Sequence, residues 1–129
     1  MTLKDRTQFL TTPQQVDEFL RQHPTAAIFK AGTCHKTSET FRDIEPLLEA
    51  RAGLPLGVIR VLEARPASNH VAEMTGIRHE SPQIVLFKDG RAVFDRDNWD
   101  ITAEAVQEAL TDQFPGSDPE PAAPRGGTA

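Results

Sequence analysis

Two short apolar runs, Ala26–Lys30 and Leu56–Leu62, are separated by a segment whose Phe41, Ile44, Leu47 and Leu48 recur at helical spacing. Strand, helix and strand in that order must pair in parallel through a right-handed crossover. Val58, Ile59, Val61 and Leu62 read as a strand buried on both faces, so helices are needed on each side of the sheet. A second restriction lies downstream. Gln83–Lys88 and Arg91–Asp95 are strand-like runs joined by Asp89-Gly90, the dipeptide that suits a two-residue hairpin with positive φ. The hairpin adds two antiparallel strands to the parallel pair.

The remaining elements fit around this frame. Thr12-Pro13-Gln14-Gln15 is a helix start, with Thr12 as N-cap, Pro13 in the first turn and Gln15 completing a capping box. Val16, Phe19 and Leu20 line one face of that helix, and His23-Pro24 ends it. The helix from about Lys36 to Arg51 contains Pro46, which predicts a kink. Gly53-Leu54-Pro55 is a loop. Ser68–Thr75 reads as a short helix carrying Val71, Ala72 and Met74 and stopped by Gly76. Thr102–Phe114 is a last amphipathic helix with Val106, Ala109 and Leu110 on its face. Residues 1–114 therefore form one α/β domain, a mixed four-stranded sheet with helices on both faces. That is the thioredoxin-like architecture, and it places Cys34 at the first turn of the helix after the first parallel strand. Pro115–Ala129 is rich in Pro, Gly and Ala without apolar periodicity, and reads as a disordered tail.

Composition narrows the function classes. A chain of 129 residues supports one hydrophobic core, and its 38% hydrophobic and 26% charged residues are ordinary for a soluble domain. The net charge of -5 argues against nucleic acid and anionic membranes as partners. No apolar stretch is long enough to cross a bilayer, and Met1–Phe9 lacks the apolar region of a secretory signal. A single cysteine cannot form an internal disulfide, so a cytoplasmic protein is the default, and a monomer is expected.

That cysteine carries the chemistry. A thiol reacts as its thiolate, which the unpaired N–H groups and positive dipole end of a helix favour. Lys36, and His35 when protonated, would add to this, and the Thr37 hydroxyl could donate to the sulfur. Thr37 stands where a C-x-x-C pair would place its second cysteine, so the chemistry runs through one sulfur and an outside thiol must complete it. The plainer reading makes Cys34 a small packing residue, His35 and Lys36 solvated, and Thr37 an ordinary surface threonine. Its neighbours Gly32, Thr33, His35 and Lys36 are not core residues, which favours the reactive thiol.

Other residues enter as candidates. In this architecture Pro82 of His79-Glu80-Ser81-Pro82-Gln83 would be the cis-proline opposite the cysteine, with His79 and Glu80 as site wall or plain loop. A metal reading would use Cys34, His35, His70 and His79, but lacks ligand spacing, so no metal or other cofactor is expected. A Cys/His hydrolase would need His79 as base and has no oxyanion motif. Trp99 reads as packing at the exit of the last strand, and Asp95, Asp97 and Asp100 as a solvated acidic loop.

Four stretches together, F-K-A-G-T-C, R-P-A-S-N-H-V-A, G-I-R-H-E-S-P-Q and W-D-I-T-A-E-A, closely resemble the YtxJ-like family, the monothiol bacilliredoxins. The resemblance runs from about Pro13 to Phe114 and is most specific over Arg78 to Gln83. It implies removal of bacillithiol, a small cysteine-containing thiol, from mixed disulfides on other proteins. Cys34 would be the attacking thiol, with bacillithiol its co-substrate. Its partners would be bacillithiolated proteins, with a second small thiol or a partner reductase to release the adduct. Thr33, His35, Lys36, His79, Ser81 and Pro82 would line the substrate groove, and Thr37 would support the sulfur. Ser68-Asn69 would match the turn into the third helix. The sequence departs from the family where Cys34-His35-Lys36-Thr37 replaces cysteine-proline-isoleucine-serine, and where Asp97-Asn98 replaces a serine-histidine pair. The opposing classes are a non-catalytic thioredoxin-fold module and a two-chain iron–sulfur carrier; the C-G-F-S motif of the latter is missing.

Overall fold

A computed structural model describes residues 2–114, so the expectation of a disordered tail falls outside the described residues. The strands are β1 (Thr7–Phe9), β2 (Ala26–Ala31), β3 (Leu56–Arg60), β4 (Gln83–Lys88) and β5 (Arg91–Asp97). The α-helices are α1 (Pro13–Gln22), α2 (His35–Ala50), α3 (Arg65–Thr75) and α4 (Ala103–Gln113). The sheet order is β1-β3-β2-β4-β5. β1 and β2 both run parallel to β3, while β4 is antiparallel to β2 and to β5. The expected thioredoxin-like α/β fold is present, with five strands rather than four. β1 escapes sequence reading because three residues show no periodicity; it is a strand only because β3 supplies its partners, Thr7 to Leu56 and Phe9 to Val58.

Alternation along the strands builds two cores. Ala27, Phe29, Leu56, Ile84 and Leu86 pack against Ile44 and Leu48 of α2 and Val106 and Leu110 of α4. Ala26, Ile28, Ile59, Val85 and Phe87 face Val16, Phe19 and Leu20 of α1 and Ala67 and Val71 of α3. Period-two strands buried on both faces thus explain the near-continuous apolar runs. Gly57 sits in β3 where α1 presses closest. A Cβ there would stand 2.7 Å from Leu10 Cδ1 and 3.2 Å from Phe19 Cε2. Gly57→Ala is therefore expected to cost about 1–3 kcal/mol by overpacking, read as a lower urea midpoint at unchanged slope.

Local signals explain the helix ends and the hairpin. Thr12 caps α1 by accepting the Gln15 N–H at 3.1 Å. The return bond of the capping box is displaced by one residue: Gln15 Oε1 accepts from the Thr11 N–H at 2.7 Å. Asp89 and Gly90 take φ of 54° and 82°, the pair of positive values the tight hairpin requires. Gly76 closes α3 with φ 74°, its N–H donating to Ala72 O. Three expectations shift. α2 continues as one helix through Pro46, which lies with Arg42 on its exposed side, where water can take the carbonyl that loses its donor. β3 ends at Arg60, so Val61 is buried in a turn and Leu62 is 66% exposed. α3 begins at Arg65 because Pro66 suits a first turn, and Met74 lies on its exposed side.

Candidate active site

β2 delivers the chain through Gly32 and Thr33 to Cys34, the N-cap of α2 with extended backbone (φ -89°, ψ 167°). The thiol is exposed and is the one cysteine of the chain. Opposite it, the loop after α3 enters β4 through a cis Ser81-Pro82 peptide. The two segments touch: a Cβ on Gly32 would stand 3.1 Å from Ser81 Oγ and 3.3 Å from Thr37 Oγ1. Gly32 is small because two hydroxyls crowd it. Thr33, Cys34 and His35 are exposed, Lys36, Thr37, His79 and Ser81 are half-buried, and Pro82 is buried.

The backbone does most to activate the sulfur. The Thr37 N–H holds the Cys34 thiol below its ordinary value; the Lys36 N–H and the Thr37 hydroxyl add to this, while desolvation opposes it. The hydroxyl is oriented by the chain it follows, since Thr37 Oγ1 accepts the Gly32 N–H at 3.0 Å and keeps its own proton to offer. The Lys36 charge expected to help does not act this way. Lys36 turns its ammonium to Asn98 Oδ1, at 3.3 Å, and over the Trp99 ring, 4.5 Å from its centroid. Lys36 contributes to the sulfur through its amide, not its charge.

Asn98 joins three parts of the site. Its N–H donates to Pro82 O at 3.0 Å and its Nδ2 to Glu80 Oε1 at 3.3 Å, while its Oδ1 receives Lys36. It begins the 3-10 turn Asn98–Asp100 with φ 50°, a left-handed conformation asparagine tolerates better than most residues. Trp99, expected as packing, is instead 70% exposed.

Behind the loop lies a polar cluster that the sequence reading missed. Lys30 is fully buried, and its Nζ is 3.2 Å from His79 Nδ1, which also lies 2.9 Å from Ser68 Oγ. Lysine and serine are the donors here, so Nδ1 accepts and the ring proton is assigned to Nε2. Burial, and then the Lys30 charge, lower the His79 pKa, with Glu80 acting against them. Burial alone lowers Lys30 to about 8. The side chain of Gln83, paired across the sheet with Lys30, donates to Arg78 O at 2.9 Å and is also buried. The sequence signal was present: a lysine ending an otherwise apolar run, with a strand-neighbour glutamine. His70 is elsewhere, bonded to Asp17 Oδ1 at 2.7 Å and tying α3 to α1. His70 and His79 thus have separate partners, and among the described residues no imidazole hydrogen-bonds to Cys34.

A groove of about 770 Å³ opens on the α2 side of the sheet, between Thr37, Ser38 and Phe41 of α2 and Phe9 and Val58 at the β1 edge. Among the described residues no helix is long and apolar enough to cross a membrane. A family model described as monothiol bacilliredoxin BrxC matches residues 8–106. The chain belongs to the monothiol bacilliredoxin family. The bacilliredoxin match covers both sides of the site, Cys34 with its helix and the cis-proline loop. Solved structures agree on the fold. One, described as an oxidoreductase with a thioredoxin fold, shares 23% identity at a TM-score of 0.75 over 83% of this chain and 96% of its own. A mutant thioredoxin from Halobacterium salinarum shares 18% at 0.66, over 91% and 96%. Mitochondrial thioredoxin 3 from Saccharomyces cerevisiae shares 18% at 0.67, over 87% and 99%. Family and fold together make this bacilliredoxin a thiol oxidoreductase.

Proposed function

We propose that this bacilliredoxin removes bacillithiol from mixed disulfides on other proteins through Cys34 alone. The observation that carries the reading is an exposed N-cap thiol, held below its ordinary value by the Thr37 and Lys36 amides, in a chain with no second thiol. The Cys34 thiolate attacks the bacillithiol sulfur of a protein mixed disulfide. A new sulfur–sulfur bond forms at Cys34, the old one breaks, and the electron pair leaves with the protein thiolate. A second small thiol, or a partner reductase, then attacks the Cys34 adduct and restores the thiolate. No metal or redox cofactor takes part in this exchange. Thr33, His35, Ser81 and Pro82 form the rim against which the disulfide lies, and Thr37 steadies the sulfur.

The test pairs two measurements on the full chain. Incubation with a bacillithiolated protein is expected to move the small thiol onto Cys34, with equal mass gained there and lost from the substrate. The alkylation rate of Cys34 is expected to rise with pH through a midpoint below that of a cysteine peptide measured alongside. Absence of transfer, together with a midpoint matching the free peptide, would instead make the protein a binding module with an inert cysteine.

A further inference from the structure

We propose that the exposed indole of Trp99 is the contact for the polypeptide half of the mixed disulfide, and so sets a preference for protein over small disulfides; this rests on the exchange reading of Cys34 above. A singly exposed apolar side chain is ordinary in itself, so what distinguishes Trp99 is where its ring is anchored. Trp99 is 70% exposed. Phe9, Leu62 and Met74 are also exposed, and Phe9 faces α2 across the groove, but Trp99 makes a direct contact with a side chain of the thiol's first helical turn. That side chain is Lys36, two residues beyond Cys34, whose Nζ lies 4.5 Å from the ring centroid.

The turn that carries the ring is also anchored. Asn98, its neighbour, bonds Pro82 O through its N–H and Glu80 through its amide. The turn that carries the indole is therefore anchored to the cis-proline loop through Asn98, while the ring itself meets α2 through Lys36. A rigid aromatic with few rotatable bonds loses little entropy on contact. The Lys36 ammonium is already engaged by Asn98 Oδ1 and the ring, so the wall offers apolar area rather than a free cation. Apolar area suits side chains flanking a cysteine in a polypeptide, not a polar small thiol, which would need hydrogen-bonding partners.

The experiment compares exchange of the full chain with two disulfides. One is a ten-residue peptide with Leu and Phe beside a cysteine that is disulfide-bonded to free cysteine; the other is hydroxyethyl disulfide. In Trp99→Ala the ratio of peptide rate to small-disulfide rate is expected to fall about tenfold, with Trp99→Phe restoring part of it. Because Trp99 is the only tryptophan and tyrosine is absent, its emission should also shift to the blue when the peptide is linked to Cys34. An unchanged ratio would overturn the proposal, whether both rates fall or neither does. A raised ratio would overturn it too, and make the indole a platform for the small thiol. Wild-type chain that reacts with neither disulfide would sink the exchange reading itself. Iodoacetamide alkylation of Cys34 in Trp99→Ala, at the wild-type rate, would show that the thiol's helix is intact.

Discussion

Replacing Cys34 with serine is expected to abolish thiol exchange and, at the same time, to stabilise the chain by about 0.5–1 kcal/mol. The loss is complete rather than partial because the chain has no other thiol and a serine hydroxyl cannot attack a disulfide at neutral pH. The gain follows from the position. Cys34 is the N-cap of α2, but a neutral thiol is a weak acceptor: the Thr37 N–H favours the thiolate without forming an ordinary capping hydrogen bond. Serine is a strong N-cap acceptor, and the Thr37 N–H that lowers the thiol pKa is placed to donate to it. The residue that best serves the helix is thus not the one that serves the chemistry. Urea unfolding of the two forms, beside an exchange assay, checks both halves. A Cys34→Ser chain that is less stable than wild type would mean the sulfur packs better than its exposure suggests.

Lys30→Met is expected to raise stability at pH 7 by about 1–3 kcal/mol and to flatten the pH dependence above it. Burial lowers the folded lysine to about 8, while the unfolded side chain titrates near its ordinary value of 10.5. Between those values the unfolded state holds more protons, so wild-type stability should rise with pH across that window. The rise amounts to about 3 kcal/mol, and the full cost of burying the charge is felt below the folded pKa. Methionine fills similar space without the charge. Against this, it leaves His79 Nδ1 with Ser68 as its remaining donor, which returns part of the gain. Urea midpoints for both chains at pH 7, 8, 9 and 10 decide the matter; parallel profiles would show that Lys30 does not titrate in this range. A lysine kept at such a cost holds the His79–Pro82 loop from beneath, and the same variant's exchange rate reports whether that support reaches the thiol.

How much of this was legible depended on the range of the forces involved. Thr12, Gly76 and Asp89-Gly90 act within a few residues of themselves, so their caps and turn could be read directly. The fold class was readable because the apolar runs encode a sheet covered on both faces. β1 was not, since its three residues become a strand only against β3. Leu62 misled because hydropathy cannot say where a strand stops. At the site, the exposed thiol before a helix was visible in A-G-T-C-H-K-T. The direction taken by Lys36 was not, because its partners are Asn98 and Trp99, more than sixty residues away.

The sequence by itself determined a single sulfur at a helix mouth, the fold class and the family. Helix-end chemistry is local, and the absence of a second thiol is a property of composition. Only the tertiary structure decided what surrounds that sulfur. It turned the Lys36 ammonium away from the sulfur and set backbone amides there, brought Lys30, Ser68 and His79 together from three separate elements, and left Trp99 exposed against Lys36. Those outcomes hang on contacts between distant segments, which the packing of the sheet and its helices sets and no short stretch of chain contains.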